Sequence, residues 1–398
     1  MNEVIRPKLA QNAGNSTLIR AMFDAGVKMK RELGADAVCD FSIGNPDVPA
    51  PSAVKEVLAE IAANADKPLA FGYTGVAGTL EAREALAAYL SKEQGVPLSA
   101  AEVMLGAGAA GVMCLVFYAC LEAGDEIVGV SPYFTNYDLW SATFGGVYKP
   151  VPLREDFSFD LAGMEAAITP KTRIVLYNSP HNPTGHVHSL EEIKGLVEVV
   201  RRKNREYGRP ILLVADEPYR FLVYGDEEVP SVLPLYEYSC LVSSLAKNMG
   251  LPGERVGYLA VSPDMPEKEQ FMGAVCGANQ AMGVTSAPII GQMLLARCIG
   301  HNTDASVYAR RREVMADVLK RAGYEFNMPA GAFYFFPRTP GDDDQAFIRE
   351  LMRHRVLAVP GAAFKMPGYF RLAFCVNEEV IRRSFEGFKL AREAMEKR

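Results

Sequence analysis

The sequence predicts an α/β protein: a large domain with a mainly parallel central sheet between helices, and a smaller α+β domain built from both chain ends. Two observations carry this. Through the middle of the chain, short β-rich runs alternate with helix-period segments. Such alternation needs crossover connections and therefore parallel strands covered on both faces. The flanks instead hold long helical patterns with few strands. The expected division is 1–50 as an N-terminal segment contributing to the small domain, 51–282 as the large domain and 283–398 as the small C-terminal α+β domain.

The elements follow in chain order. A helical pattern covers Thr17–Leu33, then a turn-rich stretch runs from Ser42 through Gly44 to Pro51. The β-rich runs are Glu102–Leu105, Glu126–Val130, Arg173–Tyr177, Ile211–Ala215, Cys240–Ser243 and Val256–Val261. Glu191–Arg205 places Ile193, Leu196, Val197 and Val200 on one helical face, and Ser189 with Glu192 forms a capping-box signature at its start. Beyond Met282, helical patterns continue to Gly323, followed by strands at Phe333–Phe336 and Tyr369–Cys375 and a charged helix over Glu378–Lys397.

Composition removes several classes. Of 398 residues, 49% are hydrophobic and 23% charged, which suits a packed soluble chain rather than a disordered one. Lys plus Arg number 42 against 48 Asp plus Glu, a net charge of −6, which argues against a nucleic-acid partner. Seven scattered cysteines do not read as a disulfide framework and point to the cytoplasm. The longest apolar run, Val112–Leu121, is about half a membrane span, so no membrane association is expected. Met1–Leu9 carries no apolar block of the kind a leader needs.

Gly106-Ala-Gly108-Ala-Ala-Gly111 follows a strand and opens a helix, which brings backbone N–H groups and the helix dipole to a phosphate. It also matches the dinucleotide fingerprint, but that reading needs an acid at the end of the next strand to hold a ribose. The next strand ends in Ser131-Pro132-Tyr133. A phosphate ligand fits far better than a nicotinamide dinucleotide, and plain helix–sheet packing would also use these glycines.

Other chemistry-bearing residues fall where the strands' carboxyl ends are expected. They are the turn Asn178-Ser-Pro-His-Asn182-Pro-Thr-Gly185, then Asp216-Glu-Pro-Tyr219, Ser244-Leu-Ala-Lys247 with Arg255 eight residues on, and Arg371 inside an apolar strand. Each has an ordinary structural explanation. Asp216 can cap a helix, Lys247 can be a solvated loop lysine, Arg371 an edge residue, and the Asn-Pro-Thr-Gly turn only a turn. One chemistry asks for all of them together. Pyridoxal phosphate catalysis needs a lysine amine to link to the cofactor's aldehyde, a carboxylate for the pyridine nitrogen and a phosphate cup. It also needs a stacking ring and an arginine for a carboxylate.

With these elements in this order, the chain closely resembles the class I/II aminotransferases of pyridoxal phosphate fold type I, the aspartate aminotransferase-like group, from the Gly44 turn to Arg371. The resemblance implies that residues 51–282 form the cofactor-binding domain. It implies that Lys247 links to the cofactor and shuttles a proton, that Asp216 pairs with the ring nitrogen, and that Tyr219 and Asn182 donate to its 3′-oxygen. Ser244 and Arg255 would hold the phosphate with the backbone of Gly108, Ala109 and Ala110. Phe134 matches the stacking ring, with Tyr133 as its competitor. Arg371 would clamp the substrate α-carboxylate, helped by Asn182 and the Gly44 backbone. Tyr73 matches a tyrosine that reaches the neighbouring subunit's phosphate, which implies a homodimer with shared active sites.

The implied activity is transfer of an amino group between an L-amino acid and a 2-oxo acid by a ping-pong mechanism, aspartate-type or of broad specificity. A carbon–sulfur β-lyase would use the same lysine. An effector-sensing aminotransferase-like domain is the non-enzyme alternative, but only about 40 residues precede Gly44, too few for a DNA-binding module. The chain departs from the family pattern in a phosphate loop without Ser or Thr and in lacking a hydroxyl just before Lys247. No arginine stands in Gly277–Gly283, where some relatives hold one for a distal carboxylate. No metal site is expected: His186 and His188 read as surface residues, His181 gains no role, and Trp140 reads as packing.

Overall fold

The structure, a computed structural model, describes Val4 and residues 18–397. Thr17 and most of Met1–Leu9, and with them the leader question, lie outside the described residues. The helices are α1 (Leu18–Leu33), α2 (Ser52–Ala63), α3 (Leu80–Gln94), α4 (Gly108–Cys120), α5 (Asn136–Thr143), α6 (Leu161–Ala167), α7 (Leu190–Tyr207) and α8 (Leu245–Asn248). They continue with α9 (Lys268–Ala281), α10 (Ile289–Cys298), α11 (Ala305–Arg321), α12 (Asp344–Arg353), α13 (Glu378–Arg383) and α14 (Phe385–Glu396). Seven strands, β2 (Val103–Ala107), β3 (Glu126–Ser131), β4 (Val147–Pro152), β5 (Thr172–Asn178), β6 (Leu212–Asp216), β7 (Ser239–Ser244) and β8 (Val256–Val261), form the central sheet. Their order is β2-β8-β7-β6-β5-β3-β4, and all run parallel except β8.

The reversal of β8 has a chain-length cause. Only residues 245–255 separate β7 from β8, and a parallel crossover takes about a dozen residues or more. The short link folds back instead, and it carries Lys247 and Arg255 to the edge where the parallel strands end. β2 extends past its expected end because Gly106 and Ala107 pair with Gly257 and Val256.

Alternation along the strands builds two cores. In β5, Ile174 and Leu176 face one apolar cluster with Val112, Phe117 and Val214, while Val175 and Tyr177 face another with Leu196, Val200 and Leu213. Each such side chain contributes roughly 1.5–3 kcal/mol of burial. The apolar face of α7 is buried as expected, and its capping box forms: Ser189 N donates to Glu192 Oε2 at 2.8 Å and Glu192 N to Ser189 Oγ at 3.2 Å.

Both chain ends meet in the smaller lobe. β1 (Cys39–Asp40) pairs in parallel with β10 (Val356–Leu357), beside an antiparallel sheet of β11 (Val359–Pro360), β12 (Phe370–Ala373) and β9 (Tyr334–Phe335). Its core joins Phe41, Phe335, Phe347, Leu372 and Phe388. Helix α10, placed after residue 282 and so expected in the small domain, buries Leu294, Leu295 and Cys298 in the core shared with α2 and α3. Glu378–Lys397 is not one helix. The buried Ser384 donates from Oγ to Ile381 O at 2.6 Å, a back-bond that competes with the helical ladder where α13 gives way to α14.

Candidate active site

The carboxyl ends of β5, β6 and β7, the start of α4, and the Ser42–Gly44 turn enclose a cavity of about 360 Å³. Ligand sites in sheets of this kind lie at that edge. Gly44, Ala109, Ala110, Phe134, Asn182, Asp216, Tyr219, Ser244, Lys247, Arg255 and Arg371 all line it. Gly108 adjoins it: a Cβ there would stand 2.5 Å from Arg255 Nη2, and its φ of +75° is one that glycine adopts freely. Tyr73 is apart from the cavity and fully exposed on this chain.

Lys247, on the one-turn helix α8 capped by Ser244, donates from Nζ to Gly44 O at 2.6 Å. Burial, with the Arg371 and Arg255 cations adding, brings its amine down to about 8. Gly44 has to be glycine because a Cβ would collide with the Tyr334 hydroxyl. At the end of β6, Asp216 accepts from the Tyr137 hydroxyl. Its oxygens are partly open to the cavity, yet the surrounding protein encloses them, and burial pushes the carboxyl up to about 6 against the lowering by Tyr137. Asn178 Nδ2 donates to Asp216 O at 2.7 Å, and Asn178 Oδ1 accepts from Asn182 N at 2.7 Å, so the β5 turn and the β6 end are tied together.

Arg371 is 4% exposed. Nη1 donates to Asn182 Oδ1 at 3.1 Å and Nη2 to Ser42 O at 2.8 Å, while Nε has no partner. The guanidinium lies over the rings of Tyr334 and Phe364 at 4.7 and 4.8 Å. Among the described residues no carboxylate pairs with Arg371 and no cation pairs with Asp216. A buried charge without a counter-charge is costly, so the site holds places for one cation and one anion.

Of the two aromatic competitors, Phe134 lines the cavity; Tyr133 is 2% exposed and donates to Asp138 Oδ2 at 2.6 Å. Trp140, expected as packing, also reaches the cavity, edge-on to Phe134 at 5.9 Å. Sequence reasoning missed Tyr137, although it stands three residues after Phe134, and Tyr334, which the apolar run Phe333–Phe336 disguised as core. The histidines need correction. His188 is fully buried, stacked on Phe159 at 3.8 Å, with Nδ1 3.0 Å from Glu192 Oε1. Burial lowers it to about 4, so it is neutral. Glu192 completes a group with His186 and His188, but the carboxylate is already occupied by the backbone N–H groups of Phe159 and Ser189.

A lysine of lowered proton affinity, a half-buried carboxylate awaiting a cation and a buried arginine awaiting an anion define an enzyme that handles a small charged molecule through its lysine. A family model described as aminotransferase class I and II matches residues 36–388. A probable aspartate/prephenate aminotransferase of Aquifex aeolicus is 31% identical over 389 residues, covering 94% of each chain, and an aspartate aminotransferase of Thermotoga maritima is 30% identical, covering 89% and 91%. Among solved structures, an aminotransferase of Eubacterium rectale superposes with a TM-score of 0.95 at 35% identity over 99% of both chains. The aspartate aminotransferase of Thermus thermophilus with maleate gives 0.83 at 27% identity, over 95% and 97%. The chain belongs to the class I and II aminotransferases and has their fold, that of pyridoxal-phosphate-dependent transaminases.

Proposed function

We propose that this aminotransferase holds pyridoxal phosphate on Lys247 and moves an amino group between L-aspartate, with a wider range of donors, and a 2-oxo acid in a ping-pong cycle. The observation that carries this is the pair of unmatched charges, half-buried Asp216 and buried Arg371, that line the lysine-bearing cavity. The residues fit the cofactor. Asp216 suits a protonated ring nitrogen, and Phe134 suits the ring face. Ser244, Arg255 and the α4 N-terminus at Gly108, Ala109 and Ala110 suit a phosphate. Tyr219 and Asn182 are donors for the 3′-oxygen.

When bound, the cofactor supplies a ring that stabilises negative charge at the amino acid's Cα and carries the amino group between the half-reactions. The chain's own residues do the rest. Arg371 fixes the α-carboxylate with its planar fork, oriented by Asn182 and Ser42. Lys247, near 8, is neutral in part at working pH and takes the Cα proton at Nζ. Asp216 stays charged once a cation sits beside it, because that attraction offsets the burial that raises its proton affinity.

The names of the relatives support aspartate as a donor, and the aromatic wall of Phe134, Tyr137 and Trp140 supports a wider range. The only cations on this chain's wall, among the described residues, are Lys247, Arg255 and Arg371. A second carboxylate therefore draws on a group from beyond that wall. We place that group, and the use of the exposed Tyr73, at a homodimer interface. No described helix is long and apolar enough to cross a membrane. Seven free cysteines favour the cytoplasm.

The test is a single half-reaction: loaded enzyme plus L-aspartate without an oxo acid. Stoichiometric conversion of the cofactor absorbance to the amine form supports transamination. Continuous release of thiol, pyruvate and ammonia from an S-substituted L-cysteine, with no conversion by L-aspartate, would instead assign a lyase.

A further inference from the structure

Tyr334 touches three working parts of the site. Its hydroxyl lies 2.8 Å from that of Tyr219, its ring carries Arg371 at 4.7 Å, and its oxygen abuts Gly44, whose carbonyl accepts from Lys247 at 2.6 Å. Tyr219 and Tyr334 are buried, at 5% and 2% exposure. Among the described residues neither hydroxyl makes another hydrogen bond.

Two phenols bring two hydrogens to one shared bond, so one hydrogen is left over. The direction of the bond decides which. If Tyr219 donates, its own hydrogen is consumed on Tyr334 and only that of Tyr334 is left over. If Tyr334 donates, the hydrogen of Tyr219 remains free for an acceptor inside the cavity that both residues line. Tyr334 is the stronger acid of the two. The Arg371 guanidinium lies over its ring at 4.7 Å, whereas the cation over the Tyr219 ring, Lys247, stands at 5.9 Å, so the phenolate of Tyr334 is the better stabilised. The stronger acid donates.

We infer that Tyr334 is a positioning residue that donates to Tyr219 and so commits the hydroxyl hydrogen of Tyr219 to the ligand in the cavity. The same ring seats Arg371, so one side chain aligns the donor to the cofactor and the clamp for the substrate. This rests on the reading of Tyr219 as donor to the cofactor's 3′-oxygen.

A pH titration of the loaded enzyme's absorbance, in wild type, Tyr219→Phe, Tyr334→Phe and the double variant, tests it. A donor at the 3′-oxygen favours the less protonated form of the bound cofactor, so losing one raises the midpoint. Tyr219→Phe is expected to raise it by about half a unit to one unit. Tyr334→Phe is expected to raise it in the same direction by a smaller amount, and to add nothing in the Tyr219→Phe background. If Tyr219→Phe shifts the midpoint and Tyr334→Phe does not, or shifts it equally in both backgrounds, the inference is overturned while the cofactor reading stands. If Tyr219→Phe itself shifts nothing, the role of Tyr219 falls and the inference with it. A second arm covers the ring. Tyr334→Phe keeps the face under Arg371 and is expected to leave KM for the amino acid near the wild-type value, whereas Tyr334→Leu is expected to raise it severalfold. Equal KM values for the two variants would overturn the seating of Arg371.

Discussion

Replacing Arg371 with alanine is the sharpest perturbation of substrate recognition. In the folded chain its two terminal nitrogens already point along a fork, set by Asn182 Oδ1 at 3.1 Å and Ser42 O at 2.8 Å, and the group is 4% exposed. A carboxylate meeting that fork gains two charge-assisted hydrogen bonds, each about 1.5–3 kcal/mol. Their loss amounts to about 3–6 kcal/mol, or roughly 10²–10⁴ in kcat/KM. The assay compares an amino acid with the amine that lacks its carboxylate, on wild type and Arg371→Ala, with cofactor absorbance checked first. The variant is predicted to lose its preference for the amino acid while its slow reaction with the amine persists. A loss below tenfold on the amino acid, or an equal loss on both, would refute the reasoning.

Two further outcomes follow from the cavity. Gly108→Ala forces a side chain into a φ of +75° and 2.5 Å from Arg255, and is predicted to weaken cofactor binding at least ~10-fold, read by equilibrium titration; unchanged affinity would remove Gly108 from the phosphate cup. The cofactor-free enzyme is predicted to lose stability between pH 4 and 7. Burial raises Asp216 from 3.8 to about 6 and Glu217 from 4.5 to about 7, and a carboxyl raised on folding stabilises below its unfolded value and loses that contribution as pH climbs through the folded one. Thermal unfolding of the cofactor-free Asp216→Asn variant is expected to fall less over this window than that of wild type.

Much of this was legible before the fold was known, because the cavity-lining groups sit at strand ends and strand ends follow apolar runs. Asp216 closes Ile211–Ala215, and Lys247 follows the Cys240–Ser243 run. The direction of β8 was not legible from alternation alone; it depends on the length of the link after Ser244. The helix break at Ser384 depends on one side-chain hydrogen bond that no periodicity shows. Tyr334 stayed hidden because the hydrogen-bond partner of its hydroxyl, Tyr219, is 115 residues away. His188 was misjudged because two histidines one residue apart, without a third ligand, look like surface residues, while here Phe159 and Glu192 enclose it.

Every step proposed for this site passes through Lys247 as the residue that carries the cofactor. Reducing the loaded enzyme with borohydride fixes the lysine–cofactor bond, and peptide mass mapping then locates it. One pyridoxyl group per chain is expected, on Lys247, and none after Lys247→Ala. A modified lysine elsewhere, or a cofactor spectrum that survives in Lys247→Ala, would contradict it.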